Sequence, residues 1–183
     1  MNHKNYSSEG FVIARKKFSE GDRILILFTK EFGKTPLIAK GVRKLTSKKR
    51  GGIEIFNKIK FSAAKSHGID VLTEVEVLNS YESIRNDLRK TGLAYYFCEV
   101  IGRVTSDNEK HDNIYEILDS YFSKISISGH LKKLRLSFVK EVLINLGFWP
   151  INKEMTNPDA VLENIVERQM NSVRVGKKML QHY

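Results

Sequence analysis

The densest cluster of chemically functional side chains in this chain is a run of basic residues in its first half. Between Lys40 and Arg50, six residues are Lys or Arg and none is Asp or Glu. Such side chains neutralise phosphates and release the counterions that surround a polyanion. A flexible basic loop of this kind closes over a strand of DNA or RNA, and the alternative interpretation is a solvated loop without function.

Further basic side chains lie on the predicted strands around this run. Lys58 and Lys60 share the predicted strand face with Phe56, so this face would offer phosphate contacts beside an aromatic ring on which a base stacks. Packing of Phe56 under a second domain is an equally open interpretation, and plain solvent exposure is the rival for the basic residues at positions 15–17. The predicted nucleic-acid contacts are Arg15, Lys16, Lys17, Lys34, Lys40, Arg43, Lys44, Lys48, Lys49, Arg50, Phe56, Lys58 and Lys60.

The distribution of charge supports an anionic partner. The 183 residues carry a formal net charge of +10, and 41% are hydrophobic, enough for a folded core. Residues 1–80 hold 16 Lys and Arg against 8 Asp and Glu, whereas residues 81–183 hold 15 against 13. The basic character therefore belongs to the first half, which indicates nucleic acid or an anionic surface as its target.

Catalytic and metal-binding patterns are absent from the sequence. The five histidines lack metal-ligand spacing, and neither a glycine-rich phosphate loop nor a Gly-x-Ser-x-Gly motif occurs. The single cysteine, Cys98, excludes a disulfide framework and a cysteine-rich zinc site, and a buried structural role is its simplest interpretation. We therefore expect no cofactor and no enzyme activity, with an enzyme of dispersed site as a minor alternative.

The first residues are polar, and no apolar stretch reaches the roughly 20 residues that a membrane span requires. These features predict a soluble, cytoplasmic protein without a membrane partner.

The periodicity of apolar residues changes once along the chain. Runs rich in β-formers and separated by turn residues predict about five strands in about 80 residues, the size and strand number of an OB-fold barrel. These runs are Gly10–Phe18, Arg23–Lys30, Thr35–Val42, Ile53–Phe61 and Val71–Leu78.

The second half has helical spacing. Three apolar stripes begin at Leu93, Ile114 and Leu131, and a weaker final helix is expected from about Asn157 toward Met179. The sequence thus predicts an α+β protein of two domains, an OB-fold nucleic-acid-binding domain at 1–80 and an all-α helical domain at 81–183.

Several strings resemble, in order and spacing, the RecO family of DNA repair proteins. The most specific lie between Leu27 and Lys44, and the resemblance extends over roughly residues 8–150. The strings are Glu9-Gly10-x-Val12, Asp22-x-x-Leu25, Leu27-Phe28-Thr29-x-Glu31-x-Gly33-Lys34, Ala39-Lys40-Gly41-x-Arg43-Lys44, Ile84-Arg85-x-Asp87-Leu88, Ala94-x-Tyr96-x-x-Glu99 and Leu146-Gly147-Phe148.

The resemblance implies an OB-fold followed by a helical domain, and a recombination mediator without enzyme activity. Such a protein binds single- and double-stranded DNA and anneals complementary strands. It engages the C-terminal tail of single-stranded DNA-binding protein and, with RecR, helps to load RecA; it would therefore be nucleoid-associated. A basic OB-fold RNA-binding module remains the alternative, because it shares every electrostatic feature.

The resemblance also implies a site for the acidic tail on the third predicted helix. The residues that it indicates there are Leu131, Lys132, Lys133, Arg135 and Phe138. Many family members carry a four-cysteine zinc module after the Leu-Gly-Phe point. Here Trp149–Lys153 leads almost directly to the final helix, so we expect a short version without that module, and any partner contact that the module makes is in doubt.

Overall fold

The computed structural model describes residues 5–44, 47, 49 and 51–166, and the chain divides into two compact units. The first contains the chain up to Ser80 together with Thr105–His111, and the second contains Tyr81–Val104 and the chain from Asp112. The segment Thr105–His111 therefore belongs with the first unit, although it falls inside the predicted second domain.

The first unit is a closed five-stranded barrel, as far as the described residues show. Its strands are β1 (Asn5–Lys17), β2 (Arg23–Thr29), β3 (Gly33–Ala39), β4 (Lys58–Ala64) and β5 (Asp70–Asn79). The order around the barrel is β1-β2-β3-β5-β4. The pairing of β3 with β5 is short and parallel, whereas the other strand pairs are antiparallel. The long β1 closes the barrel because its first half pairs with β4 and its second half with β2. This topology confirms the predicted OB-fold.

Alternating side chains fill the barrel, as the period of a strand requires. In β4, Ile59, Phe61 and Ala63 are buried between more exposed neighbours, and β2 contributes Leu25 and Leu27. The barrel core consists of Val12, Leu25, Leu27, Leu37, Ala39, Val42, Ile53, Ile59, Phe61, Ala63 and Leu72.

The chain between the basic run and β4 is a set of turns, not the predicted strand from Ile53. The N–H of Val12 donates to the carbonyl of Asn57 (3.0 Å), and the N–H of Phe56 donates to the carbonyl of Val12 (2.8 Å). The buried Asn57 amide donates to the carbonyls of Gly51 and Gly52 at 2.9 and 3.2 Å. Because these bonds fold residues 51–57 back against β1, β4 begins only at Lys58.

The free edge of β3 is covered by Thr105–His111. Lys34 and Asp107 form an isolated parallel bridge, and the N–H of Asn108 donates to the carbonyl of Lys34 (2.8 Å). Gly33 has a positive φ of 65°, and a Cβ there would lie 1.7 Å from the carbonyl oxygen of Glu109. Glycine is therefore required at the point where this segment meets the strand.

The second unit is helical, as predicted. Its helices in the described range are α1 (Glu82–Arg85), α2 (Leu88–Val104), α3 (Asp112–Ile127), α4 (Leu131–Asn145) and α5 (Pro158–Val166). The buried faces of α2, α3 and α4 meet in an aromatic cluster, where the Phe97 and Phe138 rings stack at 3.8 Å and Tyr121 lies edge-on to both. The predicted continuation of the last helix beyond Val166 falls outside the described residues.

Across the helices that are described, none has the length and the apolar character needed to cross a membrane.

Candidate nucleic-acid interface

The start of the basic run is fixed to the turn between β1 and β2. The N–H of Gly41 donates to Oδ1 of Asp22 (2.8 Å), and the N–H of Arg43 donates to the carbonyl of Gly21 (3.1 Å). The Gly41 hydrogen bond, followed by a Ser19 contact and the charges of Lys40 and Lys44, holds the pKa of Asp22 below its ordinary value despite some desolvation. Asp22 therefore remains an ionised acceptor that keeps the two turns together.

Three cations of the run are presented by this pair of turns. Lys40, Arg43 and Lys44 are exposed. The Arg43 guanidinium donates through Nη1 to the carbonyls of Ser19 (3.2 Å) and Glu20 (2.7 Å), and these neutral acceptors orient its charge without cancelling it.

The remaining cations of the run are Lys48, Lys49 and Arg50. Lys49 donates its Nζ to the carbonyl of Leu72 (2.9 Å), which ties its charged end to the barrel. Lys48 and Arg50 lie outside the described residues.

The end of β1 adds further positive charge beside these turns. Lys16 and Lys17 are exposed, and Lys17 pairs in register with Arg23 at the start of β2. Arg15 is half-buried and forms an ion pair with Glu54 at 2.5 Å. We call Lys16, Lys17, Arg23, Lys40, Arg43 and Lys44 the basic end of the barrel.

A cavity of about 360 Å³ opens at the basic end. Its lining residues are Arg15, Arg23, Val42, Arg43, Ile53 and Glu54. Arg23 was not among the predicted contacts. The predicted hairpin could have indicated Arg23 as a contact, because antiparallel pairing across the turn at Ser19–Asp22 places Arg23 opposite Lys17.

An exposed aromatic ring also adjoins the basic end. Phe18 follows β1 directly, and 54% of its surface is accessible, although its N–H is held by the carbonyl of Asp22 at 3.3 Å. The sequence did not indicate Phe18 as a contact, because an apolar residue at a strand end is normally part of the core and because the exposure of Phe18 depends on where β1 ends.

The structure corrects the prediction for Phe56. Its ring is 1% exposed, it precedes β4 in a positive-φ conformation, and it does not share a strand face with Lys58 and Lys60. A ring without accessible faces offers no platform for a base, so Phe56 is a buried side chain of the first unit and not a stacking residue.

The two β4 lysines lie away from the basic end. Lys58 is half-buried with Nζ 5.8 Å from the centre of the Phe11 ring. Lys60 is exposed but stands opposite Glu9 on β1 and Glu76 on β5, and cross-strand partners share a face. The charge of Lys60 is therefore offset locally.

Lys34 is likewise a correction to the predicted contacts. Its Nζ donates to the carbonyl of Thr105 (2.6 Å) and lies 3.2 Å from Oδ1 of Asp107, and its side chain is largely buried. This cation is used to hold the covering segment on β3 and is not presented to a ligand.

Two of the residues predicted to bind the partner tail already have contacts within the helical unit. Phe138 is fully buried in the aromatic cluster, so it is not a surface contact. Arg135 pairs with Asp159 and lies 4.2 Å from the centre of the Tyr96 ring. Lys132 and Lys133 are exposed and Leu131 is half-buried, so these three remain accessible on the first turn of α4.

The described residues contain no group of three or more His, Cys, Asp or Glu side chains arranged to hold a metal ion. Cys98 is buried, and burial raises the pKa of its thiol, which disfavours the nucleophilic thiolate.

Both halves of the sequence match models of a single family. The model described as "Recombination protein O N terminal" matches residues 1–81, and the model "Recombination protein O C terminal" matches residues 85–153.

Curated relatives agree with these matches. Proteins named DNA repair protein RecO from Pelotomaculum thermopropionicum and Listeria monocytogenes are 27% and 29% identical over 81% and 78% of this chain. One from Roseiflexus is 26% identical over 92% of it. The matched parts cover 57%, 56% and 59% of those proteins, so the chain spans a little over half the length of the relatives that it matches.

Proposed function

The chain belongs to the recombination protein O family, and on that premise we propose that it binds single-stranded DNA at the basic end of the barrel and acts in DNA repair by annealing complementary strands. The observation that carries this proposal is the grouping of Lys16, Lys17, Arg23, Lys40, Arg43 and Lys44 around two joined turns of an OB-fold. Arg15 lies beside these cations but is paired with Glu54, so it is not counted among them.

Electrostatic binding at this surface suits annealing. Lysine and arginine contacts to phosphates carry no sequence information, so any strand is accepted, and release of counterions makes the affinity depend steeply on salt. An annealing protein needs to reduce the repulsion between two polyanions and leave their base edges free. No covalent step is required, which agrees with the absence of a catalytic constellation in the sequence.

Phe18 supplies the contact that favours single strands. Every base presents a π-face, and stacking on an exposed aromatic ring beside a basic groove is tolerant of sequence. In duplex DNA the bases are already stacked on one another, so the ring has no free base to bind. Phe18 thus replaces the buried Phe56 as the proposed stacking residue.

Partners of the family extend the proposal to the helical unit. We propose that the acidic C-terminal tail of single-stranded DNA-binding protein binds at Leu131, Lys132 and Lys133, and that the chain acts with RecR in loading RecA. Lys132 and Lys133 support this because both are exposed on the first turn of α4. Arg135 would contribute only after giving up its pairing with Asp159.

Annealing of strands coated with single-stranded DNA-binding protein tests the proposal. Two complementary oligonucleotides with donor and acceptor dyes are coated, mixed and followed by fluorescence transfer with and without the chain. We expect faster annealing, and slower annealing when Lys132 and Lys133 are both changed to Gln. Tight binding to bare strands without acceleration would contradict the mediator role, and tighter binding to RNA than to DNA of equal length would favour the RNA-binding alternative.

A further inference from the structure

We propose that the cavity at the basic end is a subsite for a terminal phosphate, the phosphomonoester at the end of a DNA strand. This inference rests on the proposed function, since it assigns one phosphate of the strand to one place on the barrel. The cavity is lined by three arginines, a carboxylate and the almost fully buried side chains of Val42 and Ile53.

The arginines of the cavity are in three different states of engagement. Arg15 is paired with Glu54, and Arg43 donates to two carbonyl groups. In the described part of the chain, the Arg23 guanidinium has neither a hydrogen bond nor an ion pair with another side chain. A guanidinium presents a planar fork of donors that matches the oxygens of a phosphate, so Arg23 is the side chain most available to a ligand.

The charge of the cavity favours a phosphomonoester over an internal phosphodiester. Three guanidinium groups and one carboxylate leave a net charge of +2 from the lining residues. A phosphomonoester carries about −1.5 to −2 charges at pH 7, whereas a phosphodiester carries one. The monoester therefore balances the charge of the lining.

The shape of the site points the same way. A phosphodiester has a nucleoside on both sides, so the strand has to enter and leave a concave site, whereas a terminal phosphate enters end-on. A cavity of about 360 Å³ accepts such a group together with part of its sugar. Phe18 adjoins the turn whose Ser19 and Glu20 carbonyls orient Arg43, so the first base would lie beside the ring while its phosphate occupies the cavity.

Competition between short strands tests the subsite. A long labelled single strand is bound to the chain and displaced by unlabelled oligonucleotides of about six nucleotides, within the site size of an OB-fold. The competitors have one sequence and carry a 5′ phosphate, a 3′ phosphate or neither. We expect one phosphorylated competitor to displace the label at roughly tenfold lower concentration than the unphosphorylated one, as for a charge-assisted hydrogen bond.

Two variants of identical chemistry separate the subsite from general charge. Arg23→Gln removes the free guanidinium, and Arg89→Gln makes the same change on α2, where the side chain is 84% exposed. Arg23→Gln should abolish the advantage of the phosphorylated competitor, and Arg89→Gln should keep it. The advantage in the wild type should also shrink below about pH 6, where a phosphomonoester takes up its second proton.

Equal displacement by phosphorylated and unphosphorylated competitors would overturn the subsite, and so would a full advantage in Arg23→Gln. Either result with the long strand still bound refutes this inference alone. Failure of the long strand to bind would refute the proposed function together with the subsite.

Discussion

The cations of the barrel differ in what their charged ends contact. Lys34 and Lys49 donate to main-chain carbonyls of neighbouring segments, and Lys34 also faces Asp107. Lys40 and Lys44 are exposed on the joined turns. A cation with protein partners must give them up before it binds a phosphate, so residue type alone does not define the interface.

Phe18 provides the first test at the scale of a single residue. Phe18→Ala should weaken binding of a single strand by about 1–3 kcal/mol, the usual contribution of one base stacked on an aromatic ring. Affinity for duplex DNA of the same length should stay constant because its bases have no free faces. Fluorescence anisotropy with both ligands measures the difference.

Phe148→Ala is the matched control for Phe18, because this ring is similarly exposed, at 50%, but lies in the helical unit. It should leave both affinities unchanged. If Phe18→Ala also binds single strands as the wild type does, the ring is not a stacking platform.

The lowered pKa of Asp70 predicts how the stability of the barrel responds to acid. Burial alone would raise the pKa of Asp70, but hydrogen bonds from the Ser66 N–H, Lys65 and Tyr6 outweigh it and lower the pKa below its ordinary 3.8. A carboxyl group whose pKa is lower in the folded state stabilises it above the unfolded pKa, and this contribution is lost as the pH falls through the folded value. The barrel should therefore lose stability below about pH 4.

Urea unfolding at a series of pH values, in the wild type and in Asp70→Asn, measures this contribution. The variant should be less stable near neutral pH, and its stability should fall less steeply in acid. Asp22 and Asp87, whose pKa values are also lowered, keep part of the acid dependence in both proteins. Parallel curves would show that Asp70 does not contribute.

At the scale of elements, the barrel depends on a segment that comes much later in the chain. The half of β3 that lacks a β5 partner is covered by Thr105–His111 through the Lys34–Asp107 bridge. An uncovered strand edge is a template for pairing with other chains. This segment thus protects the barrel from association through β3.

Gly33→Ala tests the covering segment. A non-glycine residue with positive φ costs about 1–3 kcal/mol, and here the new Cβ would also overlap the Glu109 carbonyl. We expect a larger loss of stability than strain alone gives, together with a tendency to associate, measured by urea unfolding and light scattering.

Gly41→Ala supplies the comparison for Gly33→Ala, because Gly41 has the same φ of 65° with no atom within 4 Å of the added Cβ. The stability of Gly41→Ala should fall only by the cost of backbone strain. Equal losses in the two variants would mean that the contact with Glu109 does not hold the segment in place.

How far the sequence predicts each element depends on the range of the interactions that define it. Runs of β-formers bounded by turn residues predicted β2 closely and β3 to within a few residues, and helical spacing predicted α2 to α4, because these signals are local. The start of β1 was missed: the strand begins at Asn5, five residues before the predicted Gly10, where it pairs with β4. The start of β4 was misplaced, since bonds from Val12 and from the Asn57 amide turn residues 51–57. The roles of Lys34, Phe56 and Phe138 depend on contacts distant in sequence, which periodicity does not contain.

Over the whole molecule, positive charge is concentrated in residues 1–80, which hold a net +8 of the +10 total. The family matches extend through both halves, so this asymmetry belongs to one protein with two kinds of surface. We expect DNA to bind the barrel and an acidic protein tail to bind the first turn of α4. The two activities should then respond to different substitutions.

A pair of triple variants tests this separation through the dependence of binding on salt. One variant changes Lys40, Arg43 and Lys44 to Gln, and the other changes Arg89, Lys132 and Lys133 to Gln, so both lose the same charge. Each phosphate contact to a single strand adds about 0.7 to the magnitude of the negative slope of log K against log salt. The loss of three contacts should therefore reduce that magnitude by roughly 2. The helical-unit variant should keep the wild-type slope, because Lys132 and Lys133 are assigned to a protein partner and Arg89 is assigned to no ligand. Equal reductions in the two variants would mean that overall charge, and not the basic end of the barrel, determines DNA binding; an unchanged slope in the barrel variant would place the DNA elsewhere.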